Sequence, residues 1–123
     1  MNSKTRAAIS LIEENLHRQI YVGEIAKSLG LHRSRFCDLF KGEVEVSPTQ
    51  HIKKRRLEKA RELLEATDLQ IKEIAVRVSY SESSHFVRNF EKAYGLSPRR
   101  YRAQHLLSKL QNRRSKKEKR RIG

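Results

Sequence analysis

The chain has no tryptophan, a single cysteine and only two prolines in 123 residues. The lone Cys37 excludes a disulfide framework and a cysteine-rich zinc site. His17, His32, His51, His85 and His105 fall on different predicted helices without HxxxH or HExxH spacing, so no metal site is expected. No glycine-rich phosphate loop and no Ser/His/Asp set stand out, and neither a catalytic residue nor a cofactor is expected. Apolar runs are short of the ~18 residues of a membrane span. Met1 to Arg6 is polar with no apolar segment behind it, so the reading is a soluble, reduced, cytoplasmic protein. Acidic residues are also scarce, 14 Asp and Glu against 28 Lys and Arg, a net +14. That excess favours a polyanionic partner, nucleic acid ahead of an anionic membrane. With 37% hydrophobic residues the chain can build a modest helical core, as one domain or two very small ones.

What the sequence does have is concentrated in Ile71 to Arg102. Ile71, Ile74, Ala75 and Val78 recur at helical spacing, and Ser79 to Glu82 is too polar and turn-rich to continue that helix. A second helix follows, with Phe86 and Phe90 inward and Ser84, Val87, Arg88 and Glu91 on the other side. It ends near Gly95, after which Ser97-Pro98 supplies an N-cap and first helical residue. Helix, tight turn and helix with a polar outer face is the pattern of a helix-turn-helix DNA reader.

The same unit occurs earlier. Ser3 is expected to cap a first helix to about His17, with Ala8, Ile9, Ile12 and Leu16 as its apolar stripe. Val22, Ile25, Ala26 and Leu29 form a short helix stopped by Gly30. A third runs from about Arg33 to Lys41, with Phe36, Leu39 and Phe40 inward and Ser34, Cys37, Asp38 and Lys41 outward. Glu24-Ile25-Ala26 returns as Glu73-Ile74-Ala75, Phe36 and Phe40 as Phe86 and Phe90, and Ser47-Pro48 as Ser97-Pro98. The offset grows from 49 to 50, so the second turn carries one more residue. Between the copies, Pro48 to Ala66 reads as a long helix burying Ile52, Leu57, Ala60, Leu63 and Leu64. About 18 residues at ~1.5 Å make a rod of roughly 27 Å. Major-groove faces on one side of a duplex recur every ~34 Å, so the rod suits a monomer reading two adjacent groove segments. From Lys109, eight cations against Glu118 leave +7, half of the total charge, on a tail expected to be disordered or a frayed helix.

These motifs (EIAxxxGL, FxxxF and SP in the first unit, and IKEIAVRVSYSESSHFVRNFEKAYGLSPRRYR in the second) resemble the DNA-binding domain of the AraC/XylS family of bacterial transcription regulators, over about Ile9 to Leu106. The resemblance implies an all-α, seven-helix, two-lobed fold with two helix-turn-helix units joined by a linker helix. The domain would span 1–108: first lobe about 4–47, linker about 48–66, second lobe about 68–108, then the basic tail 109–123. It also implies sequence-specific promoter binding, usually activation through RNA polymerase. The chain resembles stand-alone short members, or the DNA-binding part of a longer regulator. Three departures stand out. Ser79 replaces the usual turn glycine, at a cost of about 1 kcal/mol if φ is positive. Glu45 stands where the second unit has Gly95, so the exit from the third helix is expected to be irregular. Asp38 matches Arg88, a position often basic.

The second helix of such a unit enters the major groove with its N-terminal outer face. That makes Ser83, Ser84, His85, Val87 and Arg88 the base readers of the second unit, and His32, Arg33, Ser34, Cys37 and Asp38 their counterparts in the first. Arg88 can pair bidentately with guanine or sit on a phosphate, and Val87 can rest on a thymine methyl. For Asp38 three readings stay open: a cytosine contact, pairing with a neighbouring arginine, or weakened binding by this unit. Cys37 reads as a small outward residue rather than a redox switch. Backbone contacts are expected from Ser47, Thr49, Ser97, Arg99 and Arg100 at two helix starts and from Lys53, Lys54 and Arg55 on the linker; Arg56 could instead pair with an acidic core residue. Tyr80, Tyr94 and Tyr101 read as core residues with polar tips. The alternative to a DNA reader is a module of the same fold that binds RNA polymerase or another regulator without reading DNA.

Overall fold

The computed structural model describes the backbone of residues 1–122 and the side chains of residues 1–117. Seven helices follow in order: α1 Ser3–Glu14, α2 Val22–Ser28, α3 Arg33–Val44, α4 Pro48–Ala66, α5 Ile71–Arg77, α6 Ser83–Tyr94 and α7 Pro98–Ile122. Among the described residues there is no strand. The cap of α1 is Asn2, not Ser3: its side-chain oxygen accepts from the Lys4 N–H at 2.8 Å. The helix also stops short of His17, because Asn15 leaves helical geometry and its side chain donates to the Leu11 carbonyl.

The repeat is reproduced down to its hydrogen bonds. After α2, Leu31 N–H donates to the Ala26 carbonyl (2.9 Å) and Gly30 N–H to that of Lys27 (3.0 Å). After α5, Tyr80 N–H donates to Ala75 (2.9 Å) and Ser79 N–H to Val76 (3.0 Å). Each pair closes a Schellman motif, whose pivot residue must be left-handed. Gly30 (φ 71) fills that place in the first lobe and Ser79 (φ 66) in the second. Ser79 therefore carries the expected backbone cost. The expectation at Glu45 needs correcting: the exit from α3 is regular, with Glu45 at φ 73, ψ −5 beside Gly95 at φ 77, ψ −1. The third helix also runs past Lys41 to Val44. The extra residue of the second turn lies in the three positions between Ser79 and α6, where the first lobe has two.

The linker helix α4 starts with a capping box. Ser47 Oγ accepts from the Gln50 N–H while Gln50 Oε1 accepts from the Ser47 N–H, both at 3.2 Å. The helix serves two separate cores. Ile52 closes the first with Ala8, Ile12, Leu16, Ile25, Ala26, Phe36 and Phe40. Leu57, Ala60 and Leu64 belong to the second with Ile74, Ala75, Val78, Phe86 and Phe90. Tyr80, Tyr94 and Tyr101 pack against that second core, and the tip of Tyr101 donates to Glu65.

Arginines hold the seams. Arg102 of α7 spans the α4–α5 connection by donating to the carbonyls of Leu64 (3.1 Å), Leu69 (2.6 Å) and Thr67 (3.1 Å). The stretch 109–122, expected to be disordered or frayed, continues α7 as helix. Lysine, arginine, glutamine and leucine are good helix formers, and neither glycine nor proline interrupts the run from Arg99 to Ile122. From Leu106 to Lys117 every side chain is exposed.

Candidate nucleic-acid interface

On α3, Arg33, Ser34 and Asp38 are exposed, and on α6 so are Ser83, Ser84, His85 and Arg88. Two of the proposed base readers are placed otherwise. Cys37 follows Phe36 and is half-buried against the first core; Val87 follows Phe86 and is half-buried against the second. One residue turns a helix by about 100°, which leaves both at the edge of the buried stripe instead of outside it. Among the described residues Asp38 makes no ion pair or hydrogen bond, so pairing with a neighbouring arginine is not what the structure shows.

The two reading helices begin differently. His32 caps α3, its Nδ1 accepting from the Ser34 N–H at 3.4 Å. Glu82 gives α6 no side-chain cap, so the first N–H groups of α6 have no side-chain acceptor there. Ser47 and Ser97 are half-buried and occupied as caps, Ser97 Oγ accepting from the Arg100 N–H at 3.3 Å. Thr49, Lys53, Lys54, Arg99 and Arg100 are exposed.

Of the two neighbouring arginines, it is Arg55 and not Arg56 that pairs with acidic residues. Arg55 is paired with Glu13 of α1 and Glu58 of its own helix, and its side chain is only 23% exposed. The Glu13 carboxyl is accordingly held below the usual carboxylate range, chiefly by its hydrogen bond to Arg55. Arg55 therefore offers no free charge to a phosphate. Arg56 has no acidic partner among the described residues and donates from Nη2 to the Arg18 carbonyl at 2.8 Å.

A cleft of about 350 Å³ lies where the lobes face each other across α4. Ile20 and Val22 line it from the first lobe; Thr49, Lys53 and Arg56 come from α4; Ser81, His85 and Asn89 come from the second lobe. It brings together Thr49 and Lys53, expected from sequence to meet the DNA backbone, and His85, expected to read bases. Asn89 Nδ2 lies 3.2 Å from both Tyr80 Oη and His85 Nε2, and Tyr80 meets the His85 ring edge-on at 5.4 Å. Arg56, Tyr80 and Asn89 went unnamed as site residues because their convergence depends on packing between lobes, which no local spacing encodes.

A helix-turn-helix domain model matches residues 25–104. The chain belongs to the AraC-type helix-turn-helix family. It is similar to the Probable transcriptional regulator LumQ of Photobacterium leiognathi, 32% identical over 90 residues, covering 73% of this chain and 36% of that protein. It is also similar to the Lactose operon transcription activator of Staphylococcus xylosus, 31% identical over 102 residues, covering 83% of this chain and 37% of that protein. It thus spans little more than a third of these relatives. The DNA-binding domain of AdpA, solved in complex with a target DNA, superposes with a TM-score of 0.83 at 25% identity, covering 89% of this chain and 99% of that one. This AraC-type family is one of DNA-binding transcription regulators. Among the described residues, no helix is long and apolar enough to cross a membrane.

Proposed function

We propose that this chain is a sequence-specific, double-stranded-DNA-binding transcription regulator, most simply an activator, that works as a monomer in the cytoplasm. α3 and α6 read two adjacent major-groove segments. The observation that carries this reading is the duplicated unit: two reading helices of 12 residues, each behind the same Schellman turn, mounted on one 19-residue helix. At ~1.5 Å per residue that helix is roughly 28 Å long, close to one groove repeat. The solved complex of the AdpA domain with target DNA supports the partner, and the Staphylococcus activator supports the direction of regulation. RNA polymerase as a second partner rests on family resemblance alone.

Within this reading Arg88 contacts guanine, Asp38 accepts from cytosine N4, and Arg33, Ser34, Ser83 and Ser84 complete the two base-reading faces, while His85, held by Asn89 at the cleft, serves a phosphate instead of a base. Thr49, Lys53, Lys54, Arg99 and Arg100 hold phosphates, and the basic extension of α7 adds a sequence-independent tether. Selection of bound duplexes from a random pool tests the reading. Enrichment of a two-part motif spanning about two helical turns is expected; equal recovery of all sequences would overturn it and leave a protein-binding module or non-specific compaction. Deleting Lys109–Gly123 should weaken specific and non-specific binding together and flatten the salt dependence. A changed site preference would show that the extension is not a tether.

A further inference from the structure

Arg56 is the unusual cation of this molecule. Arg55 meets two carboxylates, Arg102 meets three carbonyls, and Arg61 lies over the Tyr94 ring at 5.1 Å. Arg56 is half-buried with one carbonyl acceptor, and its Nε is buried without any hydrogen-bond partner. Burial depresses its pKa, and no carboxylate offsets that effect. A desolvated guanidinium without a counter-charge is costly, so its retention at a cleft calls for an anion that arrives from outside. Lys53 adds a second positive charge to the same cleft, and Thr49 and Ser81 add hydroxyl donors from two sides. His85 is held by Asn89. If its Nε2 accepts that contact, a neutral ring carries its proton on Nδ1 and offers a further donor.

We propose that the cleft between the lobes is a phosphate seat, with Arg56 and Lys53 as its cations and Thr49, Ser81 and His85 as its neutral donors. Under the DNA-binding reading, on which this inference rests for its natural ligand, the occupant is one backbone phosphate between the two groove segments. A free phosphate or phosphorylated small molecule has the same chemistry. Because the walls come from both lobes and the linker, an occupied seat also fixes one lobe against the other. The phosphate would thereby preset the spacing of the two readers.

The test compares wild type, Arg56→Gln and Lys53→Gln on a duplex chosen by selection, and on a series of that duplex with one methylphosphonate moved along the backbone. Each variant should lose about tenfold in affinity, and the salt slope should fall by about 1. At one phosphate position, neutralisation should weaken wild type by more than it weakens Arg56→Gln or Lys53→Gln, because each variant has already lost one of the two cations that meet that phosphate and so partly masks the effect. In parallel, the Arg56 Nε–H resonance of the wild-type protein is followed during titration with inorganic phosphate and with the duplex. A shift with duplex alone assigns the seat to DNA; a shift with inorganic phosphate shows that it also takes a free anion. No masking position together with an unmoved Nε–H resonance overturns the proposal. Should Arg56→Gln not fold, exposed Lys53→Gln and the wild-type resonance decide. If no duplex is selected, the DNA reading fails and the phosphate titration judges the seat by itself.

Discussion

The two lobes solve the same backbone problem with opposite choices of side chain. Both need a left-handed residue after the first helix of the unit and another after the reading helix. The first lobe has Gly30 and then Glu45; the second has Ser79 and then Gly95. Each lobe thus has glycine at one corner and a strained side chain at the other, yet φ stays between 66° and 77° throughout. The residues flanking the corners, Leu31 and Val44 in the first lobe and Tyr80 and Tyr94 in the second, pack on the two cores, and local preference yields to that packing. The lobes also differ where they would meet a partner. α3 offers Asp38 and a histidine-capped start; α6 offers Arg88 and a start without a side-chain cap. Their cores differ at one further matched pair. His51 meets Phe40 edge-on at 5.4 Å, and Tyr101, fifty residues on, meets Phe90 in the same way at 5.7 Å.

The largest effect that would sharpen this comparison is in the cores. Phe90 also contacts Phe86 and Tyr94, whereas among the described residues Phe40 has only Phe36 and His51 as ring neighbours. Phe90→Ala and Phe40→Ala should each cost about 3–5 kcal/mol in denaturant unfolding, with Phe90 the costlier; equal losses would break the asymmetry. Next come the reading faces. Arg88→Ala should lose ~1–3 kcal/mol at a single base position in competition binding. Asp38→Ala should instead tighten binding to unrelated sequences by removing a charge that phosphates repel. Uniform weakening by Arg88→Ala would move that residue to the phosphates.

The corners are smaller. Ser79→Gly and Glu45→Gly should each stabilise by about 1 kcal/mol, and Gly30→Ala should destabilise by about as much, read as thermal melts. A loss of stability in Ser79→Gly would mean that its side chain contributes more than its backbone costs. The smallest effect is on pH. Burial, helped by the Arg55 charge, lowers the His51 pKa, so the folded state binds fewer protons than the unfolded one. Its contribution is present above the unfolded value of about 6.5 and lost as pH falls below it. Tyr101 is pushed up to about 12 by burial and its bond to Glu65, so its contribution is lost as pH rises from about 10 towards that value. Acid should loosen the first lobe and alkali the second, and His51→Leu should flatten only the acid side of a stability–pH curve.

Periodicity and the repeat carried most of the fold, because buried phenylalanines four apart and Ser-Pro helix starts are local signals. Pro48–Ala66 was legible at both ends for that reason: Ser47-Pro48 opens the helix, and the apolar pattern lapses after Ala66. Less was legible at the site. Cys37 and Val87 sit one step from a buried ring, where a helical pattern does not separate edge from outside. Arg55 and Arg56 are neighbours of identical chemistry. Only the position of Glu13, 42 residues earlier, and of the Arg18 carbonyl, 38 earlier, decides which one is neutralised. For 109–122 the sequence left disorder and a frayed helix both open, because scarcity of apolar residues says that a segment cannot bury itself, not whether its backbone coils.

The core changes hands within α4 between Ile52 and Leu57, barely more than one turn of helix. A substitution at the exposed Lys53 or Lys54 leaves the angular phase of the two units untouched. One inserted residue would rotate one unit by about 100° and advance it ~1.5 Å. This short interval therefore works as an indexing gear, tolerant of changed chemistry and intolerant of changed count.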